Sequence, residues 1–138
     1  MFRTGNDTDN QTPNFNVSST SSYLDLSPLY GNNDQEQHAV RTMKDGMLKP
    51  DTFSEYRILG FPPGVSALLI SFNRFHNYVA ENLKQINEGG RFCLNPSLSK
   101  DTAEKVTDNA LFNTARLYVT THSILNYLQT FFLAENIL

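Results

Sequence analysis

The sequence predicts a mainly α-helical protein with long loops and a polar N-terminal arm. Two long segments repeat apolar residues at steps of three and four, Gly and Pro punctuate the chain between them, and neither strand alternation nor an internal repeat is visible. With 138 residues the chain allows one domain, 1–138, large enough to bury a core. Only 39% of residues are hydrophobic, against roughly 45–50% in ordinary globular domains. The shortfall lies before Tyr23. Residues 1–22 are dominated by Asn, Thr, Ser and Asp, the composition of a polar loop or disordered arm.

The elements follow in order. Ser22–Tyr30 runs into the turn Gly31-Asn32-Asn33-Asp34, where Asn33 or Asp34 caps a short helix over Gln35–Met43. Lys44-Asp45-Gly46 makes a turn, and Phe61-Pro62-Pro63-Gly64 is a firm break because two prolines remove two backbone donors. A helix is expected over Ser66–Asn87, its stripe formed by Val65, Leu68, Leu69, Phe72, Val79, Leu83 and Ile86 and ended by Gly89-Gly90. Asp101 is expected to cap a second long helix with Ala103, Val106, Ala110, Ala115, Leu117 and Tyr118 on its apolar face. That helix should run towards Phe132, with a break near Thr120–Ser123. Leu117–Ala134 holds no Asp, Glu, Lys or Arg, yet seven of its eighteen residues are polar. That is too polar for a lipid-facing helix, and we read a helix buried in protein and no transmembrane segment.

Charge and cysteine narrow the function classes. Eleven basic and fourteen acidic residues give a net charge of −3 without a basic stripe, which argues against nucleic acid as a partner. A single Cys93 rules out an internal disulfide framework. The N-terminus has no apolar run of signal-peptide length, so a cytoplasmic location is expected, and sequons at Asn6, Asn10 and Asn16 carry little weight. Asp7 and Asp9 lack the Gly and Glu that a calcium loop needs at its set offsets, and no metal site is assigned.

The three histidines, His38, His76 and His122, do not share a metal-ligand spacing. His76 lies on the first helix stripe between Phe72 and Val79, where a histidine can ligate haem iron. We read it instead as hydrogen-bonded within a helical core, with Asn77 or Arg74 in the same network. His122 is read as a satisfied buried side chain and His38 as a surface residue. No Gly-x-Ser-x-Gly elbow occurs, Cys93 has no activating context, and Gly89-Gly90 is a helix stop rather than a phosphate loop. Arg57, Arg74, Arg91 and Arg116 are expected in structural ion pairs. No catalytic residue is assigned.

Five ordered motifs do speak: Ser-Tyr-Leu-Asp-Leu-Ser-Pro-Leu-Tyr-Gly (22–31), Val-Arg-Thr-Met-Lys-Asp-Gly-Met-Leu-Lys-Pro-Asp (40–51), Leu-Gly-Phe-Pro-Pro-Gly-Val (59–65), Phe-Asn-Arg-Phe-His-Asn-Tyr-Val (72–79) and Leu-Phe-Asn-Thr-Ala-Arg-Leu (111–117). Together they resemble the fungal fatty-acid dioxygenases of linoleate diol synthase and psi-factor-producing oxygenase type, within the animal haem peroxidase and cyclooxygenase superfamily. The resemblance implies part of a large helical domain around haem b. It implies unsaturated C18 fatty acid and oxygen or peroxide as partners, and a tyrosyl radical that abstracts hydrogen before oxygen adds. A second, cysteine-thiolate haem domain usually follows in such proteins.

The resemblance also implies what this chain lacks. The distal histidine would precede the Phe2-Arg3-Thr4 segment. The proximal histidine and the radical tyrosine belong to a Tyr-Arg-Trp-His-like motif, whereas this chain has no Trp. His76 matches a family histidine that is not the iron ligand. Arg57, Phe61 and Pro62 fall in a stretch near the haem pocket of relatives and are the lining candidates. The chain is therefore expected to be an internal fragment that binds no cofactor alone, associates with the missing part of its domain, and can approach lipid surfaces as relatives do. The rival reading is a non-enzymatic helical interaction module. A module should be monodisperse and unfold cooperatively; a fragment should be molten or aggregate.

Overall fold

The computed structural model describes residues 4–6, 13–18, 23 and 25–135, with side chains from 23, 25–126 and 129. Two short strands, β1 (Thr4–Asn6) and β2 (Pro13–Ser18), pair antiparallel with Gly5 opposite Asn14 and Asn6 opposite Pro13. The strandless expectation gives way here, because Phe15 and Val17 alternate with polar residues in a tract too short to register as a pattern. Four α-helices follow among the described residues: α1 (Ser27–Tyr30), α2 (Asp34–Val40), α3 (Pro63–Ile86) and α4 (Lys100–Glu135). The mainly α-helical expectation holds.

Local chemistry sets the helix ends. Asn33 caps α2, its Oδ1 accepting the Glu36 N–H at 2.8 Å, while the Glu36 carboxylate accepts the Asn32 N–H at 2.9 Å. α2 ends at Val40 rather than Met43, because the chain turns back and pairs Arg41 with Leu48 in an isolated antiparallel bridge. α3 begins on Pro63, where a missing N–H leaves no intrahelical bond unmade. It ends at Asn87, which takes a left-handed φ of 40° and donates its N–H to Leu83. The Gly89-Gly90 stop lies in the 3₁₀ turn beyond it. At the start of α4 the Ser99 hydroxyl meets Thr102 at 2.8 Å and its carbonyl accepts from Ala103, so Asp101 is a first-turn residue, not the cap. α4 runs unbroken through Thr120–Ser123, since no Gly or Pro lies within it.

α3 and α4 pack side by side, and the 40–60 loop lies across them. One core cluster joins Leu29, Tyr30, Val40, Leu48, Ile58, Leu69 and Phe112; a second joins Val79, Ala80, Ala115 and Val119, with Leu26 and Phe72 touching both. Each fully buried Leu or Phe contributes about 1.5–3 kcal/mol. The inward faces differ from the expected stripes. Leu69 and Val79 are buried as expected, but Val65, Leu68 and Ile86 of α3 are exposed, as are Val106, Leu117 and Tyr118 of α4. Asn73 and His76 on α3, and Asp108, Leu111 and Phe112 on α4, take the interior instead. The loop explains the exchange, because it brings backbone groups that polar side chains must satisfy.

Candidate functional site

The side chains of Asn73, His76 and Asn77, spaced at three and four, line one face of α3 and grip the loop. Asn73 Nδ2 donates to the carbonyls of Lys49 (3.0 Å) and Thr52 (2.8 Å). Asn77 accepts the Leu48 N–H at 2.8 Å and donates to the Leu48 carbonyl at 3.0 Å, as a neighbouring strand would. Arg74, one step round the helix, forms a two-pronged exposed pair with Asp51. Thus Asn77 and Arg74 hold the loop and do not join the His76 network, contrary to expectation.

His76 is fully buried, with Nδ1 2.9 Å from the Tyr30 hydroxyl and Nε2 2.9 Å from the Gly46 carbonyl. A carbonyl only accepts, so Nε2 carries the proton, Nδ1 accepts, and Tyr30 donates. Phe112 packs against both rings, at 5.9 Å from Tyr30 and 5.3 Å from His76. The Arg116 guanidinium sits 5.0 Å from the Tyr30 ring centroid. Burial pushes the Tyr30 phenol well above its ordinary range, against the pull of Arg116.

Gly46 ties this pair to a second buried unit. Its N–H donates to Asp108 Oδ1 at 2.6 Å, while Asp108 Oδ2 accepts from Arg41 Nη2 at 2.6 Å. Arg41 is 4% exposed, reaches Asn109 Oδ1 at 2.9 Å and lies 4.0 Å over the Phe112 ring. Tyr30, His76, Gly46, Asp108 and Arg41 thus form one connected buried chain of hydrogen bonds. Sequence reasoning singled out His76 alone; nothing in the local pattern marks Arg41 or Asp108, whose partners lie 62–67 positions away.

Burial, with repulsion from Arg41 and Arg116, outweighs the support of the Gly46 carbonyl and lowers the His76 pKa from 6.5 to about 4. The unfolded chain takes up this proton near pH 6.5, whereas the folded chain resists it until about pH 4. Stability from His76 is therefore fully present above pH 6.5 and is lost as pH falls towards 4. The expected loss is about 3 kcal/mol, from 1.36 kcal/mol per pKa unit. Urea midpoints between pH 7 and 4 check this; His76→Gln should flatten that part of the profile, and an unchanged slope would remove His76 as its source.

The other candidates are scattered. His38 is on the surface as expected. His122 is exposed, correcting the buried reading: its ring stacks on Tyr118 (centroids 6.2 Å, 5° between planes) and meets Phe75 at 5.4 Å. Arg57 pairs through Nε and Nη2 with the Glu55 carboxylate at 2.7 and 2.6 Å. Phe61 is 46% exposed, and Pro62 is exposed just before α3. Arg74 makes its expected ion pair, whereas Arg91 lies over Phe92 and Arg116 over Tyr30. Cys93 is exposed. A groove of about 610 Å³ between the 43–45 turn, Lys84, Phe92, Leu94 and α4 mixes apolar walls with charges of both signs, including the Asp45–Lys84 pair at 2.9 Å.

Haem iron does not fit His76. Both His76 nitrogens are engaged by Tyr30 and Gly46 inside a packed core, so the ring offers no free lone pair. No group of three or more His, Cys, Asp or Glu able to hold a metal ion occurs among the described residues. None of their helices is long and apolar enough to cross a membrane.

The animal haem peroxidase family model matches residues 1–62, and over that stretch the chain is similar to that family. It is 66% identical over 104 residues to a linoleate diol synthase of Gaeumannomyces graminis, covering 75% of this chain and 9% of that protein. Psi-producing oxygenase A of Aspergillus fumigatus is 65% identical over 101 residues, covering 73% of this chain and 9% of the relative. A bifunctional dioxygenase–epoxy alcohol synthase of Pyricularia oryzae is 56% identical over 106 residues, covering 74% and 9%. The chain thus spans about 9% of the length of these relatives. No solved structure matches it.

Proposed function

We propose that this chain supplies a scaffold segment of a haem peroxidase-type fatty-acid dioxygenase, whose whole domain oxygenates an unsaturated fatty acid with haem b. The relatives' names support the chemistry: a linoleate diol synthase and a dioxygenase–epoxy alcohol synthase share more than half their aligned residues with it. The observation that carries the scaffold role is the fully engaged His76, which leaves the segment's most tempting ligand bound to its own chain. In this reading the network holds the 40–60 loop so that Arg57, Phe61 and Pro62 line the haem pocket. Tyr56 (74% exposed), Leu59 (70%) and Phe61 stand ready to be covered there. Oxygenation by the chain alone is not expected.

The test is a haem titration of the purified chain followed through the Soret region, with linoleate oxygenation measured in parallel. A flat titration and no hydroperoxide are expected. A stoichiometric haem spectrum, or turnover of linoleate, would overturn the scaffold reading.

A non-enzymatic interaction module is the second reading, favoured by the exposed Leu68, Leu117, Tyr118 and Leu125 of α3 and α4. The two readings separate by light scattering and dye binding. A segment meant to be covered self-associates with concentration and binds a hydrophobic dye, whereas a module stays monomeric and dye-free.

A further inference from the structure

The Tyr30–His76 pair joins a buried phenol to a buried neutral imidazole. A buried phenol donates its hydrogen bond to the Nδ1 lone pair of an imidazole, and the opposite nitrogen is anchored to a carbonyl that holds the ring in that tautomer. We propose that Tyr30 and His76 form a redox-active couple: one-electron oxidation of Tyr30 sends its phenolic proton to Nδ1 of His76 and leaves a neutral phenoxyl radical in the core. This tyrosine is distinct from that of the Tyr-Arg-Trp-His-like motif, which this chain does not contain. The inference does not depend on the scaffold reading above.

The step balances as written. The Tyr30 O–H bond breaks, an N–H bond forms at His76, and one electron passes to a high-potential one-electron oxidant, an oxidised metal complex, which is reduced by one electron. Return of the electron returns the proton. No atom needs to travel: the new Nδ1–H donates to the phenoxyl oxygen along the same 2.9 Å line, and Nε2–H stays on Gly46.

One charged neighbour couples the electron to the proton. The Arg116 guanidinium beside the Tyr30 ring disfavours a ring that has lost an electron but kept its proton. Burial holds the phenol protonated until oxidation, so the pair does not ionise beforehand. Burial and Arg41 also disfavour the imidazolium, whose pKa is near 4. An oxidised phenol is nevertheless a far stronger acid than that, and the transfer runs towards His76. Full burial of Tyr30 and the edge of Phe112 against it shield the radical from water and from small reductants.

The experiment uses the full 138-residue chain with Tyr23, Tyr56, Tyr78, Tyr118 and Tyr127 replaced by Phe, leaving Tyr30 alone. Flash-excited ruthenium tris-bipyridine with persulfate supplies the oxidant, and the phenoxyl radical is followed by absorption and electron paramagnetic resonance. We expect a tyrosyl radical that forms more slowly in D₂O and outlives the radical of a chain retaining only the exposed Tyr78. His76→Gln preserves a donor for Gly46 and an acceptor for Tyr30 but supplies no base, and should lower the radical yield by about tenfold or more. No Tyr30 radical, or equal yield in the folded His76→Gln chain, overturns the proposal. Should that variant fail to fold, equal rates in H₂O and D₂O for the chain that keeps His76 overturn it as well.

Discussion

Replacing Gly46 with Ala should lower the stability of the chain by about 2–5 kcal/mol. Two effects add. Gly46 has a φ of +70°, where a side chain costs about 1–2 kcal/mol. An added Cβ would also lie 2.6 Å from the Phe112 backbone nitrogen and 2.7 Å from the Leu111 Cβ, and such overpacking typically costs about 1–3 kcal/mol. Backing the turn away from α4 is no escape, because Gly46 donates to Asp108 and accepts from His76. A domain whose whole stability is about 5–15 kcal/mol tolerates such a loss poorly. Gly89→Ala is the internal control: its φ is +62°, but nothing lies within 4 Å of the added Cβ, so only the backbone part of about 1–2 kcal/mol remains. Urea unfolding followed by circular dichroism at low protein concentration compares the two. Equal losses would mean that the contact with α4 contributes nothing.

That contact also marks where sequence reasoning stops. The beginning of α3 is legible because its causes are local: two prolines set the start, and steps of three and four give the period. Which residues of α3 face inward is not local. Asn73, His76 and Asn77 look like polar interruptions of an apolar stripe, yet they point inward because loop backbone 21–30 positions away must be satisfied. Val65, Leu68 and Ile86 look like core and are exposed, since no element among the described residues covers them. His76 was legible as a core histidine, whereas its partners Tyr30 and Gly46 were not, because a hydrogen-bond partner leaves no periodic trace. For His122 the absence of nearby charge misled, as low charge along Leu117–Ala134 describes composition and not cover. Arg41 and Asp108 were invisible for the same reason as Gly46: each is an ordinary residue until the loop folds onto α4.

The second large effect lies in that last pair. Asp108→Ala leaves the Arg41 guanidinium 4% exposed, without its carboxylate and resting on the Phe112 ring. It also removes the acceptor for the Gly46 N–H. Breaking a buried pair from one side costs about 3–5 kcal/mol, because the remaining charge stays desolvated. Asn109 Oδ1 at 2.9 Å and the distant Gln37 at 3.5 Å cannot replace a full negative charge. Removing both charges tells a different story. Arg41→Met with Asp108→Leu strands no ion and leaves only the Gly46 N–H unmet, a loss of about 1–3 kcal/mol. The double variant should therefore be more stable than Asp108→Ala alone, and urea midpoints of the wild-type, single and double chains decide it. Additive losses would mean that the ion pair is not a coupled unit. The expected order would locate the value of the pair in specificity, since it draws the 40–49 turn onto α4 in one register, the register in which Gly46 can reach both Asp108 and His76.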